Sequence, residues 1–518
     1  MAPQPSIWGV VDRAYAQQPS VYGWRNLLID KCLAMTNSLV KRVIVWFRND
    51  LRLHDNEALT NALEVAEEVI PVFVFDDRLY RGRTGRFDFP KTGAYRARFM
   101  IESVEDLRDN LRALGSDLIV REGKPEEVLF ELAQRYETSW IFCNRERTRE
   151  EVDVQEALEQ RLWTIGQEVR YSRGKMLYHT ADLPFPVTHT PDVFSQYRKE
   201  VERGVPVRDP LPAPTARFAP LSVDIEAGRI PDVRDFGHDH DGTQDERAAI
   251  QHIGGETAAL RRLDYYFFRT NQVQTYKETR NGLVGPDFST KFSAWLANGC
   301  ISPKYIYAEL MRYQQEVKKN KSTYWVYFEL LWRDFFRLQA KKYGNRIFYK
   351  GGTKGKADPR WRNDERLFNI WAEGRTGVPF IDANMRELNE TGYMSNRGRQ
   401  NVASFLVRDL NVNWQMGAEY MESLLVDYDP TSNWGNWNYV AGVGADPRED
   451  RYFNPITQAK RYDGKGEYVK LWIPELAEVP SRAVHRPDTL SRHQQEDYGV
   501  ILGADYPKAM TPTRKWVR

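Results

Sequence analysis

The sequence predicts a doubly wound α/β domain with a parallel sheet, then a long connector, then an all-α domain. Three observations carry this. Short apolar runs alternate with helical periodicity up to about residue 171. Prolines then gather (Pro206, Pro210, Pro212, Pro214, Pro220) where periodicity fades. From residue 254 to about 472 the apolar spacing is helical almost throughout.

In chain order, Val43, Ile44, Val45, Trp46 and Phe47 form a continuous apolar run, the mark of a strand buried on both faces. A helix is expected over 57–68, a strand over 69–75, a helix over 96–114, a strand over 118–120, a helix over 125–136 and a strand over 140–142. The α/β domain is assigned to 41–172, the connector to 173–253 and the α domain to 254–475. Within the α domain, helices are clearest over 324–342 and 396–410. Residues 476–518 are expected to wrap the surface as a tail. Residues 1–40 are expected to be an N-terminal extension. Its first 34 residues are polar, with Asp12 and Asp30, and lack the apolar core of a secretory signal. They read as a disordered tail or as sequence upstream of a start at Met35. An organelle transit segment is the alternative to an otherwise cytoplasmic protein.

A chain of 518 residues can bury sizeable cores. Its formal net charge of +2 restricts any nucleic-acid surface to a local patch. Cys32, Cys143 and Cys300 are too scattered for a disulfide framework or a zinc site. No apolar run is long enough to span a membrane. Nucleotide-binding P-loops, the G-x-G-x-x-G fingerprint and the metalloprotease helix are all missing. The His238-Asp239-His240-Asp241 string reads as a solvated loop, so no metal is expected.

Four constellations in the α domain carry chemical interest. Ser289, Thr290, Lys291, Phe292 and Ser293 place hydroxyls and a cation just before a helical run, which suits a diphosphate or simple helix capping. Glu329, Trp332 and Arg333 share a helix face. Asn396, Arg399 and Gln400 share another, followed by Asp427, Asp429 and Asn433. These amides, carboxylates and guanidinium groups suit the polar edge of a heterocycle, or helix caps and turns. Trp361, Trp414 and Trp437 suit an electron relay, or core packing.

Over about residues 41–508 the sequence resembles the photolyase and cryptochrome superfamily, and its DASH branch in particular. The resemblance rests on Trp46-Phe47-Arg48-Asn49-Asp50-Leu51-Arg52, on residues 279–293, on Tyr393-Met394-Ser395-Asn396-Arg397-Gly398-Arg399-Gln400, and on residues 444–450 with 453–459. It implies FAD in the α domain. Ser289, Thr290 and Ser293 would hold the diphosphate, with Tyr276 and backbone of Phe292 lining it. Arg333, Asn396 and Arg399 would surround the flavin and the bend of the cofactor. Asp427 would pair with Arg399, Asp429 would lie near flavin N3, and Asn433 would face N5. Trp437, Trp414 and Trp361 would relay electrons, in that order outward. It further implies a methenyltetrahydrofolate antenna held by Glu146, for which a surface glutamate at a helix start is the plain alternative. The implied activity is blue-light repair of cyclobutane pyrimidine dimers by a monomer. Glu329 would bond the dimer, with Asn396 and Trp332 lining the pocket and Arg397 meeting phosphates. Gln400 and Tyr439 replace the Met and Trp of duplex-repairing relatives, which implies single-stranded DNA as preferred substrate, with RNA as a further one. A photoreceptor that binds FAD and nucleic acid without repair is the alternative.

Overall fold

The computed structural model describes residues 39–511 and 516, apart from 216, 217, 223, 359, 447, 449 and 450. The expected N-terminal extension, up to residue 38, lies outside the described residues.

Strands β1 (Val40–Phe47), β2 (Ala66–Asp76), β3 (Ile119–Gly123), β4 (Trp140–Asn144) and β5 (Glu168–Ser172) form one parallel sheet in the order β3-β2-β1-β4-β5. Helices α1 (Glu57–Val65), α2 (Ala94–Ala113), α3 (Pro125–Arg135) and α4 (Arg149–Trp163) connect them. Successive side chains of β1 alternate between faces: Val43, Val45 and Phe47 join the core that holds α2, while Ile44 and Trp46 join the one that holds α3 and α4. The strand order reverses between β1 and β4, which opens a crevice beyond their C-terminal ends.

The helix expected over 57–68 stops at Val65. Ala66 is already extended, pairing with Val40, and Glu68 bonds Arg42 across the ladder at 2.6 Å. Sheet pairing overrides the helical preference of Ala66, Glu67 and Glu68. α4 and β5 add two elements that apolar runs do not reveal, because α4 buries only one stripe, Val154, Gln155, Leu158 and Leu162.

The connector holds helix α5 (Phe194–Gly204) and returns to the outer edge of β3. There Val120 N–H donates to the Ala227 carbonyl at 2.7 Å, and Arg108 Nη2 to that of Gly228 at 2.9 Å.

The α domain contains α6 (Glu256–Asp264), α7 (Tyr276–Thr279), α8 (Ser293–Asn298), α9 (Pro303–Glu316), α10 (Lys321–Tyr343), α11 (Glu365–Ala372), α12 (Pro379–Thr391), α13 (Asn396–Ser404), α14 (Trp414–Leu424), α15 (Pro430–Ala441), α16 (Pro455–Tyr462) and α17 (Glu467–Trp472). The helix expected over 396–410 loosens into a π-turn at Phe405–Asp409. Among the described residues no helix is long and apolar enough to cross a membrane. The two domains are locked by buried polar contacts. His54 pairs with Glu256, Arg52 donates to the Gly299 carbonyl at 2.8 Å, and Asp334 accepts Leu177 and Tyr178 N–H groups. The C-terminal segment does more than wrap the surface. Val479, Val484, Val500 and Tyr506 are fully buried with Phe380 and Trp472, and Tyr506 donates to Asp382 at 2.5 Å.

Candidate functional site

A cavity of about 250 Å³ lies among α13, α14 and α15. Its walls include Ser293, Asn396, Arg399, Gln400, Asp427, Asp429, Asn433 and Trp437, so residues from three separate stretches of sequence converge.

Each wall has a local cause. Asp429 caps α15: Oδ1 accepts Ser432 N–H at 2.8 Å and Thr431 Oγ1 at 2.6 Å. Its Oδ2 accepts Arg337 Nη1 of α10 at 2.7 Å. Burial opposes the Asp429 charge, but Arg337, Arg333 and these donors outweigh it and hold the carboxyl well below the usual range. Asp427, equally buried, is held low by the Arg399 guanidinium, which reaches both its oxygens at 2.9 and 2.8 Å. Arg399 is aimed by its Nε bond to the Met394 carbonyl, 2.9 Å. α13 comes close enough because Gly398 packs on Asn384, where any Cβ would collide. On α15, Asn433 spends an amide hydrogen on the Ala418 carbonyl at 3.0 Å, which leaves its side-chain oxygen as acceptor toward the cavity.

One turn along α15, the six-membered ring of Trp437 lies on Gly417 of α14, again a position where a Cβ would clash. Trp414 opens the same helix. Arg362 is paired with Asn411 and Asn413, just before Trp414, which brings Trp361 alongside. Lys350 links the Trp414 indole to the backbone of Trp361: its carbonyl accepts Trp414 Nε1 at 3.1 Å and its ammonium donates to the Trp361 carbonyl at 3.3 Å. All three rings are buried.

The hydroxyl loop is tied down by Arg262, which donates to the carbonyls of Pro286, Ser289 and Thr290 at 2.7, 3.0 and 3.1 Å. Phe292 is buried, and so is Tyr276, one turn before Arg280. Lys291 is held at φ +60°, a strained conformation for a lysine. It is 4% exposed, in no ion pair among the described residues, and its ammonium lies 4.9 Å from the centre of the Tyr393 ring. Burial pushes it down to about 8.

Outside the cavity, Glu329 pairs with Arg280. Trp332 stands edge-to-face with Tyr439, centroids 6.0 Å apart at 88°. Arg451 donates to the Tyr439 hydroxyl at 2.7 Å, and Arg397 to Gln400 Oε1 at 2.8 Å. Arg397 also bonds Asn281 at 2.9 Å and lies over the Tyr462 ring, so it is engaged on three sides. Arg333 does not line the cavity. It bonds the Lys175 and Leu296 carbonyls at 2.7 and 3.0 Å.

Residues 325–516 match the family model for the FAD-binding domain of DNA photolyase, and residues 43–215 that for DNA photolyase. The chain is 50% identical over 468 residues to a cryptochrome DASH of Gloeobacter violaceus, covering 90% of this chain and 92% of the relative. It is 49% identical to that of Xenopus laevis, covering 92% and 91%. The chain belongs to the DASH branch of the photolyase and cryptochrome family. The crystal structure of Synechocystis sp. PCC6803 cryptochrome superposes with a TM-score of 0.88 at 44% identity, covering 93% of this chain and 99% of that one.

FAD is the cofactor of this DASH-type fold, and the residues present suit it. Lys291 is a buried cation in no ion pair among the described residues, beside a loop of hydroxyls, which suits a diphosphate. Asn433 offers an acceptor and Asp429 a charged acceptor for a heterocycle edge.

Glu146 is not on the surface. It lies at the crevice beyond β4, 1% exposed, paired with Lys175 and 3.7 Å from Arg337. Arg337 therefore bridges Glu146 and Asp429, and with it Arg262, Arg280 and Lys175 are residues that the sequence reading missed. Arg337 alone left a signal: it continues the face of Glu329 and Arg333 at i+8 and i+4.

Proposed function

We propose that this DASH-type protein repairs cyclobutane pyrimidine dimers in single-stranded DNA under blue light. The observation that carries this reading is the pocket mouth, where Tyr439 is fixed edge-on to Trp332 by Arg451 and Gln400 is held by Arg397. An extruded dimer entering there meets one indole, one ring edge and an amide. Stacking is worth about 1–3 kcal/mol per base, and extrusion from a duplex costs a few kcal/mol. A mouth that stacks poorly does not repay extrusion, whereas a dimer already unpaired has no such cost.

Reduced FAD, when bound, supplies a photoexcited electron that opens the cyclobutane ring and is afterwards returned. The chain's own residues set the conditions. Ser289, Thr290, Ser293 and Lys291 hold the diphosphate, with Tyr276 and Phe292 lining it. Arg399 and Asp427 fix the bend, and Arg333, Arg337 and Asp429 fix the charge beside the ring. Asn433 offers an acceptor and no exchangeable acid proton, which favours the reduced cofactor. Trp361, Trp414 and Trp437 pass electrons inward to the flavin. Glu329 donates no hydrogen bond while ionised, so bonding a dimer carbonyl requires that it take up a proton or pass the role to Arg280. Asn396 lines the opening and Arg397 stiffens it. Glu146 and the crevice at β1 and β4 accept the folate antenna.

The Arg280–Glu329 pair favours one other reading, a light sensor that binds FAD and nucleic acid without repair, since the pair occupies the carboxylate. Matched single-stranded and duplex oligonucleotides carrying one thymine dimer decide, at one salt concentration. Repair of the single strand alone is expected. Gln400→Met with Tyr439→Trp should add duplex repair; unchanged duplex activity counts against the mouth argument, and no repair of either strand leaves the sensor.

A further inference from the structure

We infer that the N-terminal half of α10 and the loop before it form a second nucleic-acid subsite, a stacking platform for the nucleotides that flank the lesion in a single strand. The inference rests on the reading of single-stranded DNA as substrate. Lys321, Trp325, Phe328, Glu329 and Trp332 fall at i, i+4, i+7, i+8 and i+11, on one face of α10. Trp332 stands at the dimer pocket, and from it a ladder of rings leads away. Phe194 of α5 stacks on Trp332 at 3.7 Å and 9°. Phe328 meets Phe194 edge-on at 5.2 Å, and Trp325 stacks on Phe328 at 4.5 Å and 26°. Trp325, Phe328 and Trp332 are only half-buried.

Cations border the outer end. The Lys277 ammonium lies 4.8 Å from the centre of the Trp325 ring. Lys318, Lys319 and Lys321 are exposed and, among the described residues, in no ion pair, beside an exposed Val317. Of the acids beside them, Glu316 is paired with Arg312 at 3.2 Å, and Glu278 accepts from Ser322 and faces Lys277. Flat rings bordered by free cations match a single strand, in which every base has a π-face and every linkage a negative charge. From Lys321 to Trp332 the helix rises about 16 Å, the span of about five stacked nucleotides. Bases of a duplex keep their partners and cannot turn onto these rings, so the platform discriminates independently of Gln400 and Tyr439.

The test uses the FAD-loaded full chain and single strands carrying one thymine dimer, flanked by normal or by abasic nucleotides. Binding is read by fluorescence anisotropy, and repair is read also on the bare dimer dinucleotide. The protein should bind base-bearing flanks on the order of tenfold tighter per stacked base than abasic ones. Trp325→Ala should erase that difference and Trp325→Phe keep it, with FAD content unchanged. Replacing Lys318, Lys319 and Lys321 together by Gln should weaken both strands alike and lower the salt slope by about 2. Repair of the bare dimer should stay the same throughout. Equal binding of base-bearing and abasic flanks, with repair intact, overturns the platform and leaves the repair reading standing. Flank-dependent binding lost in Trp325→Ala, with no repair by the unaltered protein, keeps the platform and sinks the repair reading alone.

Discussion

Around β1 the buried side chains are Val43, Ile44, Val45, Trp46 and Phe47; around the cavity they are Asp427, Asp429 and Asn433 with Arg337 and Arg399 close by. The two regions are held together by opposite means. Packing in the sheet is non-directional, so each side chain has many interchangeable neighbours. In the cavity each charge depends on a few specific partners, and removing a charged one strands the other in a low dielectric. A change in the sheet should therefore cost stability and spare the flavin, and a change in the cavity should affect both.

The largest expected effect tests the indole that lines the cavity beside these charges. Trp437→Phe should abolish flavin photoreduction by a thiol in light while keeping FAD bound; bleaching of the visible flavin band at the normal rate would remove Trp437 from the relay. Next comes Arg337→Met, which leaves Asp429 and Glu146 without their shared cation. Thermal melting should show a loss of about 3–5 kcal/mol, and FAD content should fall. Ile44→Ala supplies the matched case in the sheet. It should cost about 2–5 kcal/mol with an unaltered flavin spectrum, and a lost flavin there would break the comparison. The smallest effect is a pH dependence. Burial lowers the Lys291 ammonium to about 8, and a bound diphosphate should raise it again. The charged lysine predominates below pH 8. Above it the free protein loses that proton and must regain it to bind, so FAD affinity should fall by up to about tenfold per pH unit until the bound-state value is reached. Lys291→Met should bind more weakly and show a flatter profile by fluorescence titration.

The same contrast explains what the sequence made legible. β1 is readable because five consecutive apolar residues have no other reading, and α10 because its periodicity is long. The end of α1 is not, because Ala66, Glu67 and Glu68 suit a helix and only pairing with Val40 to Arg42 makes them a strand. Likewise nothing local marks the loosened turn at Phe405–Asp409. In the site, the motif strings name the carboxylates and amides, but the cations that govern them stand far away in the chain. Arg337 meets Asp429 across 92 residues and Arg280 meets Glu329 across 49. For Glu146 the sequence leaves a surface glutamate as the alternative to an antenna ligand, and only Lys175, 29 residues on, shows that it is buried.

The connector that returns along β3 has a consequence for how the chain can be divided. All five strands are complete by Ser172, and a fragment ending there would look like an intact domain. Yet the bond from Val120 to Ala227 and the cover from Gly228 come from beyond that point. Such a fragment would present the row of unpaired amides and carbonyls along β3 as a template for a second sheet, and edge-to-edge polymers would be its characteristic fate.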